Sequence, residues 1–348
     1  MAKETEIKLR ISPASLATLP EHPVLAARCA GPWQTRELLN RYYDTDDFAL
    51  ANSQVALRIR RDGEQLIQTL KSKGASVAGL SERNEFDWPL KSNRLVLGHL
   101  DASCWPESLA GLDKKQLKAV FSTDFKRQFA EIRWLRDGVD TVVEVALDQG
   151  LVIAGEQQED ICEVELELRE GDPAALLELA LELAADVALM PCDISKAERG
   201  YRLFDANSYS VAADPAELSV DMPLDDAFAA IAWQLLGNSQ RLAEQYRFNG
   251  HWKLLEQWLQ QLVSLRAVLA SLGQAVPRPA SNALRMQLDA LINDWRERIL
   301  AGADDQTARE AAPLAFADEL NDNRWGVFSL QMALWLQNKE WQHKRTAR

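Results

Sequence analysis

The sequence predicts an α+β chain, with a β-rich part over residues 1–205 and an all-α part from residue 224 to the end. Three observations predict it. Short stretches of the first part alternate apolar and charged residues with period two, and turn signals separate them. In the last part apolar residues recur at helical spacing. Between the two, residues 206–223 hold Asn207, Ser208, Ser210, Pro215 and Pro223 and read as a linker.

The strands are expected at 3–11, 35–44, 54–61, 64–72, 80–88, 125–135, 140–148 and 160–168. Asp62-Gly63 and Asp137-Gly138 fall between successive strands and are hairpin signals, because Asp and Gly tolerate the left-handed backbone of tight turns. Residues 13–29 are expected to be helical, starting near Ser12 or Pro13. Residues 89–124, with Pro89, Gly98, Pro106 and Gly111, read as loop with one or two short helices. Asp172-Pro173 opens a helix, Asp as cap and Pro at the first position. Further helices are expected near 224–247, 251–273, 280–302, 306–320 and 324–344. Seven of the eleven tryptophans lie here (Trp233, Trp252, Trp258, Trp295, Trp325, Trp335 and Trp341), and their helical spacing reads as core rather than binding platform.

Composition excludes several classes. The net charge of −13 over 348 residues gives no general attraction to nucleic acid or anionic membrane. The start, Met1-Ala2-Lys3-Glu4, lacks the apolar region of a signal peptide. The most apolar stretch, 174–190, contains Glu178, Glu182 and Asp186, which a membrane span would not carry. Cys29, Cys104, Cys162 and Cys192 show no CxxC spacing; they read as reduced thiols of a cytoplasmic protein, with no zinc site.

The charged strand faces carry the chemistry. Glu4, Glu6 and Lys8 share one face of the first strand, against Thr5, Ile7 and Leu9. Glu163, Glu165 and Glu167 repeat the pattern on the last. Between them, Arg58 with Arg60, Thr69 with Lys71, Arg83 with Glu85 and Asp87, and Glu144 with Asp148 each share a face; Arg127 is a further cation. Periodicity alone allows either an open sheet with these faces in water or a barrel closed around them. Inside a barrel, Lys and Arg could clamp phosphate oxygens and Glu could hold a hard divalent cation.

Glu4-Thr5-Glu6-Ile7-Lys8 resembles the ExExK signature of CYTH domains, the triphosphate tunnel metalloenzymes. The resemblance continues through Tyr42-Tyr43-Asp44-Thr45, Leu57-Arg58-Ile59-Arg60, Thr69-Leu70-Lys71, Phe121-Ser122-Thr123-Asp124-Phe125 with Arg127, and Glu144-Val145-Ala146-Leu147-Asp148-Gln149-Gly150. It ends in Ile161-Cys162-Glu163-Val164-Glu165-Leu166-Glu167-Leu168 and Ser195-Lys196-Ala197-Glu198-Arg199-Gly200-Tyr201. The ordered set is specific where ExExK alone is not. It is most similar to the bacterial inorganic triphosphatase branch, in which a CYTH domain precedes a helical CHAD domain.

That resemblance implies an eight-stranded antiparallel β tunnel over residues 1–205 with flanking helices, then a linker (206–223) and a helical bundle (224–348). It implies hydrolysis of inorganic triphosphate, with thiamine or nucleoside triphosphatase, adenylate cyclase or a non-catalytic polyphosphate-binding module as alternatives. Lys8, Arg58, Arg60, Lys71, Arg127 and Lys196 would neutralise the polyanion. Glu4, Glu6 and one or more of Glu163, Glu165 and Glu167 would hold Mg²⁺ or Mn²⁺. Glu85, Glu144 and Asp148 would position cations, water or basic side chains, and no single residue stands out as general base. Arg10 extends the first charged face, to the tunnel mouth or beyond it. Tyr42 and Tyr43 could be strand packing; Arg83 and Arg199 could be surface ion-pair partners.

The helical part departs from the CHAD pattern. Residues 206–348 carry 14 Lys+Arg against 17 Asp+Glu, where the family is basic, and the chain ends after about five helices. A truncated CHAD-like bundle is expected. Arg247, His251, Lys253 and Arg266 would be its remnant anion site or a solvated helix face.

Overall fold

A computed structural model describes residues 2–72, 74–77, 80–205, 208, 216–300 and 305–343. Its first part is a closed antiparallel barrel. The strands are β1 (Ala2–Arg10), β2 (Gln34–Asp44), β3 (Ala56–Asp62), β4 (Gln65–Lys71), β5 (Ala75–Val77), β6 (Leu80–Leu90), β7 (Lys118–Arg136), β8 (Val139–Ala154), β9 (Gln157–Glu170) and β10 (Met190–Pro191). The barrel order is β1-β9-β8-β7-β2-β3-β4-β6, and β6 returns to β1, with Glu4 opposite Arg83 and Glu6 opposite Ser81. Eight strands therefore form the wall, with β5 and β10 as short additions to β6 and β1. Closure leaves no free edge among the eight.

The period-two pattern accounts for the two surfaces. Ile7, Leu9, Val143, Val145, Val164 and Leu166 point outward and are fully or almost fully buried, so the outer wall is apolar and covered. Part of the cover is α4 (Ala174–Ala184), following the short helices α1 (Pro13–Thr18), α2 (Pro23–Arg28) and α3 (Ala49–Asn52). Beyond it lie the C-terminal helices α6 (Leu224–Asn249), α7 (Lys253–Ser271), α8 (Arg278–Trp295), α9 (Asp305–Asn321), α10 (Arg324–Gln337) and α11 (Glu340–His343). Ile7, Val145 and Leu166 of the barrel, Leu179 of α4, and Phe228, Trp258 and Trp325 of the helical part belong to one continuous apolar core. Trp258, Trp295, Trp325 and Trp341 are buried in it, as their spacing predicts. At Gly326 a β-carbon would sit 1.8 Å from the Leu189 carbonyl oxygen, so α10 packs directly on the backbone of the loop that leads into β10.

Several elements differ from expectation for local reasons. The helix expected over 13–29 splits at Leu19–Glu21 into α1 and α2, because Pro20 and Pro23 lack the N–H a continuous helix needs. Strand β7 begins at Lys118, inside the segment read as loop; residues 95–112 fold back as short turns that bury Leu100, Cys104 and Leu109 against β3 and β4. The helix expected over 324–344 breaks where Lys339 takes φ 48°. The Asp137-Gly138 turn is as predicted: both residues have positive φ, 51° and 81°, as a two-residue hairpin loop requires. Most of the segment read as linker, residues 206, 207 and 209–215, lies outside the described residues.

Candidate active site in the barrel lumen

The charged strand faces point inward. They line a cavity of about 310 Å³ that contains all six predicted cations: Lys8, Arg58, Arg60, Lys71, Arg127 and Lys196. Glu4, Glu6, Glu85, Glu144, Glu165 and Glu167 line it too. Asp148 and Glu163 lie just behind, with no solvent exposure.

Lys196 comes from outside the barrel wall. It is the first residue of α5 (Lys196–Phe204), and Ser195 starts that helix with a capping box: its side chain accepts from the Glu198 N–H while Glu198 accepts from the Ser195 N–H. Lys196 Nζ then reaches Asp148 and Glu163, each at 2.6 Å, and Glu165 at 2.9 Å. The far end of α5 is tied by Tyr201, whose hydroxyl donates to Asp44 at 2.7 Å. Asp44 also accepts from the Leu50 and Ala51 N–H groups of α3. The Tyr-Asp-Thr and Ser-Lys stretches of the sequence thus meet at one end of the tunnel.

Asp148, Glu163 and Glu165 bring carboxylate oxygens within 4.8 Å of one another, a spacing that a metal could bridge. Cations of the chain already meet them. Lys8 and Lys196 pair with Glu165, Lys196 and Arg199 with Glu163, and Arg127 with Glu165 and, through two 2.7 Å bonds, with Asp148. Burial alone would lower the Lys8 ammonium, but Glu165, Glu6 and Glu163 outweigh it and hold it well above its ordinary value. Burial alone would raise Glu163; Lys196, Lys8 and Arg199 instead bring it from 4.5 to about 2. Against burial, Lys196, Lys8 and Arg127 hold Glu165 well below its ordinary value too.

A second acidic row is less compensated. Cross-strand register places Glu6 beside Glu167 and Glu167 beside Glu144, on β1, β9 and β8. Burial pushes Glu167 up to about 8; Arg169 opposes this, and Glu4, Glu144 and Glu6 add to it. Facing carboxylates with surplus negative charge suit a hard divalent cation, so the Glu6–Glu167–Glu144 row with Glu4 near it is a second candidate donor set beside Asp148–Glu163–Glu165, the group whose oxygens converge. The reverse imbalance surrounds Arg60. Burial, then Arg58 and Arg127, lower its guanidinium to about 10, and Nε donates to the neutral Asn40 at 2.9 Å. An anion in the lumen would be its natural counter-charge.

Other expectations sort by the same geometry. Glu85 lies 3.4 Å from Arg58 and 3.3 Å from Lys71, and Lys71 reaches Glu4 at 2.5 Å. Tyr42 lines the cavity and stacks on Phe121 at 4.6 Å, so it serves both lumen and packing. Tyr43 packs outside, against the Leu50 and Leu57 cluster. Arg83 lines the lumen, and Arg199 is fully buried rather than a surface partner. Arg10 leaves the lumen altogether. Arg169 was not foreseen, although one more period-two step past Glu167 points to it; it pairs with Glu144 at 3.0 Å and with Glu167.

The depressed carboxyls make a prediction about acid. A carboxyl lowered in the folded state adds stability above its unfolded pKa, and that stability is lost as pH falls through the folded one. The melting temperature should therefore drop steeply between pH 4.5 and about 2, where Glu163 takes up its proton. Scanning calorimetry across that interval checks this; a flat profile would contradict the ion pairing described.

A closed antiparallel barrel with a lumen of paired cations and carboxylates is a charged tunnel. The chain belongs to the CYTH family: the CYTH domain matches residues 2–201. The same region is similar to the inorganic triphosphatase of Haemophilus influenzae, 36% identical over 203 residues, which are 58% of this chain and 55% of that protein. The chain therefore matches only about half the length of that relative. Among solved structures, the putative adenylyl cyclase HpAC1 from Hippeastrum, described as having a dominant triphosphatase activity, aligns at TM-score 0.41 and 19% identity, over 57% of this chain and 95% of that one. A putative adenylate cyclase from Bacillus halodurans aligns at TM-score 0.34 and 21% identity, over 53% and 90%.

Proposed function

We propose that the tunnel hydrolyses a linear triphosphate, inorganic tripolyphosphate foremost, to pyrophosphate and orthophosphate with the help of Mg²⁺ or Mn²⁺. The observation that carries this reading is the division of the lumen. Arg60, crowded by Arg58 and Arg127 and bonded to the neutral Asn40, lacks full counter-charge, while the Glu6–Glu167–Glu144 row carries a surplus of negative charge. A polyanion and a divalent cation bound together would correct both.

In this reading Arg58, Arg60 and Arg127 grip phosphoryl oxygens with paired N–H groups, and Lys8, Lys71 and Lys196 act as point charges. Glu4, Glu6 and Glu167, with Glu144 beside them, hold the cation. When bound, it supplies neutralisation of phosphoryl charge and activation of a water. Glu163 and Glu165, whose oxygens could also meet a metal together with Asp148, hold Lys8 and Lys196 in place, as Asp148 holds Arg127 and Glu85 holds Arg58 and Lys71. Water attacks a terminal phosphorus, the anhydride bond breaks, and pyrophosphate leaves. The cations that bound the ground state stabilise the charge spread over the transferring group.

The helical part is read as a CHAD-like bundle. Its suggested anion residues do not support polyphosphate binding there: Arg266 is engaged by Asp289 through bonds of 2.8 and 3.0 Å, and Arg247 turns toward Glu159. The four cysteines are free thiols, which fits a cytoplasmic enzyme. Among the described residues no helix is long and apolar enough to cross a membrane.

The deciding experiment is orthophosphate release from tripolyphosphate, thiamine triphosphate and ATP, each with Mg²⁺, Mn²⁺ or EDTA. Fast, metal-dependent turnover of tripolyphosphate over the other two is the expected result. Preference for an organic triphosphate would move the substrate. Pyrophosphate released from ATP in place of orthophosphate would mark a cyclase. No turnover by folded, metal-loaded protein would leave a binding module.

A further inference from the structure

Arg10 shares its strand face with Glu4, Glu6 and Lys8, yet its guanidinium lies outside the lumen, buried between the barrel and α6. Its Nε donates to Glu244 of α6 at 3.1 Å and its Nη2 to Glu159 of β9 at 3.3 Å. Arg202 of α5 meets the same two carboxylates, Glu159 at 3.0 Å and Glu244 at 3.2 Å. Arg199, three residues earlier on α5, donates to Glu159 at 2.7 Å and to Glu163 at 2.9 Å. The other oxygen of Glu163 accepts from Lys196 at 2.6 Å. From the helical part to the lumen, then, every link is a charged hydrogen bond. Glu244 is 1% exposed, Arg202, Arg199 and Glu163 are 0%, and Lys196 is 7%.

Lys196, Arg199 and Arg202 follow at intervals of three on one helix, so α5 presents them as one row. Each carboxylate on the path serves two or more cations. Such sharing makes neighbouring bonds interdependent: a cation that loses one partner leans harder on the next.

We propose that Glu244 is a positioning residue for Lys196, and that the helical part thereby sets the ammonium that meets the ligand in the tunnel. The ligand class rests on the function proposed above. With Glu244 neutral, Arg10 and Arg202 shift onto Glu159, and Arg199 then draws harder on Glu163. The hold of Glu163 on Lys196 weakens, and the ammonium shifts toward Asp148 and Glu165, its other two partners.

The test is calorimetric binding of inorganic tripolyphosphate in EDTA, where no turnover occurs, to the full chain and to Glu244→Gln. The expected result is a Kd about five- to tenfold higher for the variant, and no further effect of Glu244→Gln in a Lys196→Gln background. A purely structural Glu244 would weaken binding equally in both backgrounds, and that result, or an unchanged Kd, overturns the proposal. Should Glu244→Gln fail to fold, Arg10→Gln/Glu244→Gln removes one charge of each sign and cuts the same link; it must show the same dependence on Lys196. Misfolding of both would make the network structural and overturn the positioning role. Wild-type protein that binds tripolyphosphate without cleaving it fails the hydrolase reading but still tests this one. A wild type that does not bind it in EDTA overturns the present proposal, and one that neither binds nor cleaves it with Mg²⁺ present overturns both.

Discussion

Replacing Lys8 with alanine is expected to lower tripolyphosphate turnover by about a hundredfold or more while the far-UV circular dichroism stays native. Lys8 lies in the lumen beside Glu165, in register with it across β1 and β9. Removing one preorganised charge from a water-poor site typically costs about a hundred- to a thousandfold in rate, because nothing else is placed to stabilise the charge that develops on the transferring group. The fold should survive, since Glu165 keeps Lys196 and Arg127 as partners. Glu6→Ala should have an effect of similar size through the opposite row. Steady-state rates on tripolyphosphate, with spectra of each variant, check both. Activity within about threefold of wild type in both would remove the lumen from the chemistry.

Chelation is expected to abolish turnover, and the affinity for Mg²⁺ to rise with pH until about pH 8. Glu167 is raised in the folded protein from 4.5 to about 8, so at neutral pH its carboxyl holds a proton that a cation must displace. Affinity should therefore gain up to about tenfold per pH unit from about pH 6 to 8 and level off above. Titration calorimetry in buffers of different ionisation enthalpy should find close to one proton released per ion near pH 6.5. The sign for stability runs the other way. Between 4.5 and about 8 the folded state binds the proton and the unfolded chain does not, so metal-free protein loses stability as pH climbs through that window. Mg²⁺ should restore it most at the alkaline end. Affinity independent of pH, with Glu167→Gln binding Mg²⁺ as well as wild type, would place the cation elsewhere.

Much of this was legible in the residues. Alternation sorts Ile7 from Lys8 and Val164 from Glu165 without any structure, because successive side chains on a strand point opposite ways. The Asp137-Gly138 turn and the buried tryptophans follow equally from local rules. The errors have local causes as well: the prolines that split residues 13–29, and the unforeseen extension of β7 back to Lys118, where apolar residues do not alternate cleanly.

What alternation cannot say is which face is inside. An open sheet and a closed barrel need the same pattern, and only the return of β6 to β1 encloses the charges. Pairing is equally beyond it. Period two puts Glu163, Glu165, Glu167 and Arg169 on one face, yet their fates diverge: Glu163 and Glu165 are saturated by Lys8, Lys196, Arg127 and Arg199, while Glu167 keeps a surplus of negative charge around it. Arg10 and Lys8 are two residues apart on the same face, and one serves the lumen while the other meets α6. The sequence by itself determined the strands, their charged faces and the polyanion chemistry those faces allow, because these depend on neighbours along the chain. Only the tertiary structure decided which charges face one another, because ion pairing depends on distances between strands and helices more than a hundred residues apart, as between Arg10 and Glu244 or Lys8 and Glu165.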